Sequence, residues 1–559
     1  MLTNYNREVL KTPYFSFPLL GVHVRENDKV RQKTLRHVAT VLKEEVERFL
    51  DMAEYIRAEM EVKQEQNLFS SQTLAEMVIS SRKHSMTDES VLPVNLRKLR
   101  EESRIVTGFH EIYGSLYDEI GFSMIFKTCR VSGSVLKDLV MARLAKPCSK
   151  RSSSELLERD FGIHIPVEKI YRMMDTLNQK RINRLQDSCW YHSKSLLTEE
   201  IKVMFYDCST LYFESFTEDE LRCFGYSKDN KFNQGQVLLA LMVTMEGLPV
   251  GYDVYPGNMY EGDTFKNAIE KIKVRYGVKQ VIIVADSGLL SSPNIELLEK
   301  ENLEYILGAR LRSLSDKWKD RILDNKEYEK KEKDGEVLRI ATHVYTKTRR
   351  LIVSHSTSRA EKDRKDREKA VEKLRTKLEK SKKPESLISN YGYKKYITVD
   401  GEVQVRLNEE KLAYEALWDG LHGVMTNIKE KKMNVDEILS QYHGLWQVEE
   451  SFRIQKHDLR VRPVFHWSAK RIKAHIAICF LAFALIRFLQ HRIRQKTGER
   501  FSAERIREEL FRIQESILID STDNNKYVIP SKPSQYAVKI FEAMSKKRLV
   551  VPFRLATGE

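Results

Sequence analysis

Cysteine is scarce in this chain: Cys129, Cys148, Cys189, Cys208, Cys223 and Cys479 are the six in 559 residues. No two form a Cys-x-x-Cys pair, which argues against a zinc site or a disulfide framework and fits a reducing cytoplasm. The opening Met1–Tyr5 stretch has no apolar signal core, so a cytoplasmic chain is expected. Long apolar runs are missing as well. The longest, Ile476–Ile486, is about half of what a bilayer needs, so neither a membrane span nor a membrane partner is expected. Acidic residues are outnumbered, 80 against 95 Lys and Arg, leaving a formal charge of +15. Such a balance favours a polyanionic partner, most commonly nucleic acid, although a merely basic or ribosome-associated protein has it too. Hydrophobic residues make up 41%, ordinary for a soluble globular protein, and the length predicts two to four domains.

The informative stretch begins near residue 200. Ile201–Tyr206 is a β-prone apolar run ending at Asp207. Val237–Glu246 reads as a long strand, Gly247-Leu248-Pro249 as a turn and Val250–Tyr255 as a return strand. Thr264–Tyr276 is an amphipathic helix, with Asp263 placed to cap it. Gln280–Ala285 is an apolar strand ending at Asp286, followed by a helix over Pro293–Asn302 and a strand over Tyr305–Gly308. Three antiparallel strands and then alternating helices and strands is the ribonuclease H-like order, an α/β fold shared with the retroviral-integrase superfamily. In that order the first and fourth strands are neighbours, which brings Asp207 and Asp286 together at strand ends. Two close carboxylates repel unless cations neutralise them, and oxygen ligands suit Mg²⁺ or Mn²⁺. A third carboxylate completes a site for two ions. Glu449 is the candidate, on a helix predicted over Val435–Gln455. It shares one face of that helix with Tyr442, Leu445, Phe452 and Lys456.

The flanks are less specific. Tyr14–Val41 reads as a small β element with a hairpin turn at Glu26-Asn27-Asp28, and residues 42–82 read as helical. Ser153–Leu177 is two short helices around Gly162, either a helix-turn-helix that turns Arg172, Lys180, Arg181 and Arg184 toward phosphates or a packed helical hairpin. The run Arg359–Lys383 holds twelve Lys and Arg against six Asp and Glu and reads as a solvated helix in preference to a DNA clamp. His457 and His475 read as partly exposed structural histidines, and Cys208 as a sheet residue.

The blocks "YDCSTLYFES", "YPGNMYEGDTF", "VIIVADSGLLS" and "YHGLWQVEESFRIQKHDLRVRPVFHW" resemble insertion-sequence transposases of the DDE class. The likeness covers roughly 200–310 and 415–490, and "VRENDKVRQKTL" resembles the opening segment of one subgroup. It implies a ribonuclease H-like catalytic core. It also implies the signature Tyr-x2-Arg-x3-Glu-x6-Lys, met here by Tyr442, Glu449 and Lys456, with Leu445 in the Arg position. The resemblance makes Asp207, Asp286 and Glu449 the ligands of two Mg²⁺ (or Mn²⁺), with Tyr442 and Lys456 near the DNA phosphates. Arg453 is a substitute for the missing Arg. Trp446 either stacks on an unpaired base or packs in the core. Glu261 and Asp263 are second candidates around the carboxylates.

The implied organisation is an N-terminal β element and helices (1–105), a helical region with the helix-turn-helix (106–195) and the first part of the core (200–310). An inserted β-containing domain (311–430), the last catalytic helix (431–495) and a C-terminal region with no reading (496–559) follow. The implied function is metal-dependent cleavage at transposon ends and strand transfer. The implied partners are terminal inverted repeats, target duplex DNA and a second copy of the chain, and the implied setting is the cytoplasmic nucleoid. A DDE-type nuclease that no longer transposes and a non-catalytic DNA-binding protein are the alternatives.

Overall fold

The apolar runs near residue 200 pair into a mixed sheet. The computed structural model describes residues 14–26, 29–42 and 94–555, with breaks at 128, 198–201, 215–216, 226–233, 279–280, 334–335, 381–396, 401–403 and 549. The helices expected over 42–82 lie outside the described residues. The chain divides into two compact units: Trp190–Phe452 with Arg462–Phe465, and Met1–Cys189 with Arg453–Val461 and His466–Glu559.

In the first unit, strands β1 (Val203–Tyr212), β2 (Gln236–Thr244) and β3 (Pro249–Pro256) pair antiparallel in sequence order. Strand β4 (Ile282–Ala285) then joins β1 from the other side, in parallel, and β5 (Glu304–Ala309) joins β4 in parallel. The order across these five strands is therefore β3-β2-β1-β4-β5. Every residue of β2 and β4 is buried, as expected for strands covered on both faces. One face of β1 presents Met204, Tyr206 and Cys208 to a core that includes Phe265, Ile269, Ile295 and Leu298. By strand alternation Phe205 and Asp207 face the other side.

Residues 311–430 add to this sheet. Strands β6 (Glu329–Lys333), β7 (Glu336–Val344), β8 (Arg350–Ser356) and β9 (Leu421–Thr426) continue it in the order β5-β9-β8-β7-β6, giving nine strands in all. The charged run forms a helix, Thr357–Lys380, whose Leu374 is buried. Arg367 on this helix pairs with Asp419, and Asp363 accepts the Gly420 amide at 3.0 Å.

Several local expectations change. Asp207 lies inside β1, which runs on to Tyr212; "STLY" is as β-prone as the run before it, and a single polar residue does not end a strand. The segment 264–276 is not one α-helix, because a 3-10 turn (Glu261–Thr264) precedes the Phe265–Glu270 helix and a π-turn (Lys271–Arg275) follows it. Asp263 is exposed within that first turn, and the helix is preceded by Thr264 with no side-chain cap. The helix expected over 435–455 is broken at Gly444 into Val435–His443 and Trp446–Arg453, then widens into a π-turn at Ile454–Asp458. At the break the chain passes close over β1, since a Cβ on Gly444 would lie 2.6 Å from the Phe205 ring.

In the second unit, strands Tyr14–Glu26 and Lys29–Leu42 pair antiparallel on either side of residues 27–28. The helices Lys150–Phe161 and Val167–Thr176 are separated by Gly162, whose φ of +68° ends the first of them. Arg172, Lys180 and Arg184 are exposed, but Arg181 folds back, donating to the Thr176 carbonyl and lying over the Phe126 ring. The apolar run at 476–486 belongs to a longer helix, Ala469–Thr497. That helix is long and apolar enough to cross a membrane, yet 89% of its most apolar stretch is buried within the protein. It packs against Arg130–Ala145, Val167–Thr176 and Gln535–Ala543. The C-terminal region forms strands Gln514–Asp520, Lys526–Pro530 and Phe553–Arg554, in one sheet with Leu99–Val106.

Lys150 is buried in this unit with its ammonium on His475 Nδ1 at 3.1 Å, and the other ring nitrogen of His475 meets the Val461 carbonyl at 3.1 Å. His475 is thus a buried structural residue, not the partly exposed one expected. Burial, aided by Arg143, pulls the Lys150 pKa from 10.5 down to about 7. Between those values the unfolded chain binds more protons at Lys150 than the folded chain does, so stability rises with pH from 7 toward 10.5. Denaturation midpoints measured at the two ends of this interval should show that rise, and Lys150→Met should flatten it.

Candidate active site

The register of β1 against β4 runs Val203–Ile282, Met204–Ile283, Phe205–Val284 and Tyr206–Ala285. One step further along, Asp207 lies beside Asp286. Neighbouring strands are separated by about 4.8 Å, so the two carboxylates leave adjacent backbones. Asp207 is half-buried and its Oδ1 accepts the Cys208 amide at 2.7 Å; Asp286 is exposed and its Oδ1 accepts the Ser287 amide at 2.6 Å. The loop after Asp286 is well tethered. Ser287–Leu289 forms a 3-10 turn, Asn294 Nδ2 donates to the Leu289 carbonyl at 3.0 Å, and Tyr260 and Arg310 each donate to the Gly288 carbonyl at 3.3 Å.

Tyr442 comes from the last turn of the Val435–His443 helix. Its hydroxyl donates to Asp286 Oδ1 at 3.4 Å. Burial first, and then the charge of Asp286, raise its phenol pKa, and Glu449 pushes in the same direction. Tyr442 therefore senses both carboxylates. The approach depends on Gly308 in β5, where a Cβ would lie 2.5 Å from the Tyr442 hydroxyl, 2.8 Å from the Ser287 nitrogen and 3.3 Å from Asp286 Oδ1.

Glu449 is exposed on the Trp446–Arg453 helix. The shared face with Leu445 and Phe452 does not hold, because those two are buried at 7% and 6% exposure. Trp446 is 48% exposed, which rules out the core-packing role. Among the described residues no three His, Cys, Asp or Glu side chains are grouped closely enough to hold a metal ion. The Asp207–Asp286 pair fits a hard cation by its oxygen chemistry and adjacency, and Glu449 is not drawn in with it. Arg453 is exposed and approaches Asp458 at 3.8 Å, whereas Lys456 is half-buried and His457 exposed. Glu261 lies near the Asp286 loop, its Oε2 3.2 Å from where a Gly288 Cβ would stand.

Sequence reading missed two side chains here. His422, in β9, has its ring 5.0 Å from that of Tyr442. Burial pushes its pKa down to about 4, with Arg359 and His443 adding to the effect and Asp286 opposing it. Arg359, at the start of the Thr357–Lys380 helix, also acts on Tyr442. No spacing pattern marks either residue, because His422 lies on a strand and Arg359 just after one, and the pairing of both strands is non-local.

A family model described as "Transposase DDE domain" matches residues 199–485. No curated protein matches the chain. Among solved structures it is similar to a piggyBac transposase synaptic complex with hairpin DNA, with TM-score 0.36 and 9% identity over 78% of this chain and 75% of that one. It is also similar to a Mos1 transposase paired-end complex with left transposon end, with TM-score 0.15 and 12% identity over 47% of this chain and 78% of that one.

Gly308→Ala should force Tyr442 and the Asp286 loop apart and lower stability by about 1–3 kcal/mol, the usual range for overpacking. Thermal denaturation should show Tyr442→Phe restoring only part of the loss, because the Ser287 nitrogen still meets the new methyl group.

Proposed function

The chain belongs to the transposase DDE-domain family, and from that premise we propose that it cuts DNA at the ends of a mobile element and joins them to target DNA. The observation that carries this reading is Asp207 standing one register step beyond the Tyr206–Ala285 pair, beside Asp286. The strand order β3-β2-β1-β4-β5, antiparallel and then parallel, supports a ribonuclease H-like core. Two carboxylates side by side at the ends of adjacent parallel strands, repelling one another, suit a divalent cation far better than a structural role.

In this reading Asp207, Asp286 and Glu449 would hold two Mg²⁺ or Mn²⁺. When bound, such ions activate an attacking oxygen and stabilise a leaving oxygen on phosphorus. The reaction is hydrolysis of a phosphodiester at the element's end, leaving a 3′-hydroxyl, and then attack of that hydroxyl on a phosphodiester of the target. The chain's own residues contribute positioning. The Tyr442 hydroxyl orients Asp286, and the Asp286 loop is held by Tyr260, Arg310 and Asn294. Trp446 presents an exposed ring on which an unpaired base can stack. Arg453 and Lys456 supply positive charge to phosphates, and duplex DNA carrying terminal inverted repeats is the substrate. Synapsis of two ends calls for a second copy of the chain, and the cytoplasmic nucleoid is the setting in which this substrate is met.

The test is a cleavage assay on duplex DNA bearing the gene's flanking inverted repeats, in Mg²⁺ or Mn²⁺. Asp207→Asn, Asp286→Asn and Glu449→Gln should each reduce cutting by at least about 100-fold, the scale on which a preorganised catalytic group acts, with DNA binding retained in a gel shift. Full activity in any one of them removes that carboxylate from the site, and wild-type protein that binds without cutting in either metal overturns the reading.

A further inference from the structure

The charged helix Thr357–Lys380 treats its positive groups unequally. Farther along, Arg364 stands 3.9 Å from Glu368, Arg367 pairs with Asp419, and Arg375 lies 3.7 Å from Glu409. At its start the pairing is no closer. Arg359 comes no closer than 3.9 Å to Asp363, whose Oδ2 already accepts the Gly420 amide at 3.0 Å. Lys362 is exposed and has no ion-pair partner among the described residues.

These two cations border a groove of about 670 Å³ that runs past Ser356 and His422 to Tyr442 and His443. Arg359 and His422 also line a second groove, of about 850 Å³, that continues toward Arg310 and Arg312. Asp436 borders the first groove too, but its Oδ2 accepts the Lys331 ammonium at 2.8 Å. Asp436 is thus engaged elsewhere, Asp363 is shared between the Gly420 amide and Arg359, and Lys362 has no ion-pair partner among the described residues, which leaves the groove attractive to anions. It ends at Tyr442, whose hydroxyl touches Asp286.

We propose that this groove is a phosphate-tracking subsite in which Arg359 and Lys362 hold successive phosphodiesters of the DNA strand leading away from Asp286. The proposal rests on the transposase reading, since it supplies the path of that reading's substrate. Ser356 and His443 add polar lining of the kind a backbone track needs, and contacts to phosphates carry no sequence information.

Fluorescence anisotropy with a labelled mixed-sequence duplex carrying a single-stranded 3′ extension, titrated with full-length protein over a range of salt concentrations without divalent metal, tests it. Each phosphate contact contributes a slope of about 0.9 in log affinity against log salt. Arg359→Gln with Lys362→Gln should flatten the slope by about two and weaken binding at low salt, with an unchanged denaturation midpoint. Lys369→Gln, an exposed lysine on the same helix that does not line the groove, should leave the slope as in wild type. An unchanged slope in the double variant, with wild type binding normally, overturns the subsite and leaves the transposase reading intact. Equal flattening by Lys369→Gln overturns it in favour of diffuse charge. Wild type that binds no DNA overturns the transposase reading together with the subsite.

Discussion

Four residue pairs, Val203–Ile282 through Tyr206–Ala285, hold two buried strands side by side in parallel, and the site follows from them. Parallel pairing requires a crossover between the strands, supplied here by β2, β3 and the helical segment 261–275. The register decides which side chains become neighbours: a slip of one residue would turn Asp207 toward the core occupied by Tyr206 and Cys208. With the observed register, two carboxylates share one edge, and each accepts a backbone amide on one of its oxygens.

The rest of that unit is arranged around this edge. Gly444 allows the chain before Glu449 to pass over Phe205, two residues from Asp207. Gly308 leaves room for the Tyr442 hydroxyl to reach Asp286. Strands β6–β9 extend the same sheet and deliver His422 to the Tyr442 ring and Arg359 to the adjoining groove. Small residues at two points of close approach let two helices and a strand converge where larger side chains would hold them apart.

The helical unit solves a different problem. Its central helix, Ala469–Thr497, is apolar on nearly all sides and so must be surrounded by other helices. The strand Leu99–Val106 meets the C-terminal strands Gln514–Asp520 and Lys526–Pro530 in one sheet, bringing residues about 400 positions apart together within this unit. Lys150 is carried inside this packing with a histidine for a partner in place of a carboxylate, and the desolvation of its ammonium is what depresses its pKa.

Local pattern alone was enough to determine the first five strands of the central sheet, β1 to β5, Asp286 at the end of β4, the two helices around Gly162 and the family to which the chain belongs. Each is written in apolar periodicity, a turn residue or a motif of short range. Tertiary structure decided the rest. β1 continues past Asp207 because its neighbour β2 pairs with it as far as Tyr212, and a polar residue does not interrupt those hydrogen bonds. The helix over 435–455 breaks where Gly444 lies against Phe205, leaving Trp446 exposed and Leu445 buried. His422 and Arg359 reach Tyr442 only through the pairing of β9 with β5 and β8, residues more than a hundred positions apart in the case of β5. Such pairings are set by which buried faces fit together, and no window of sequence contains both partners.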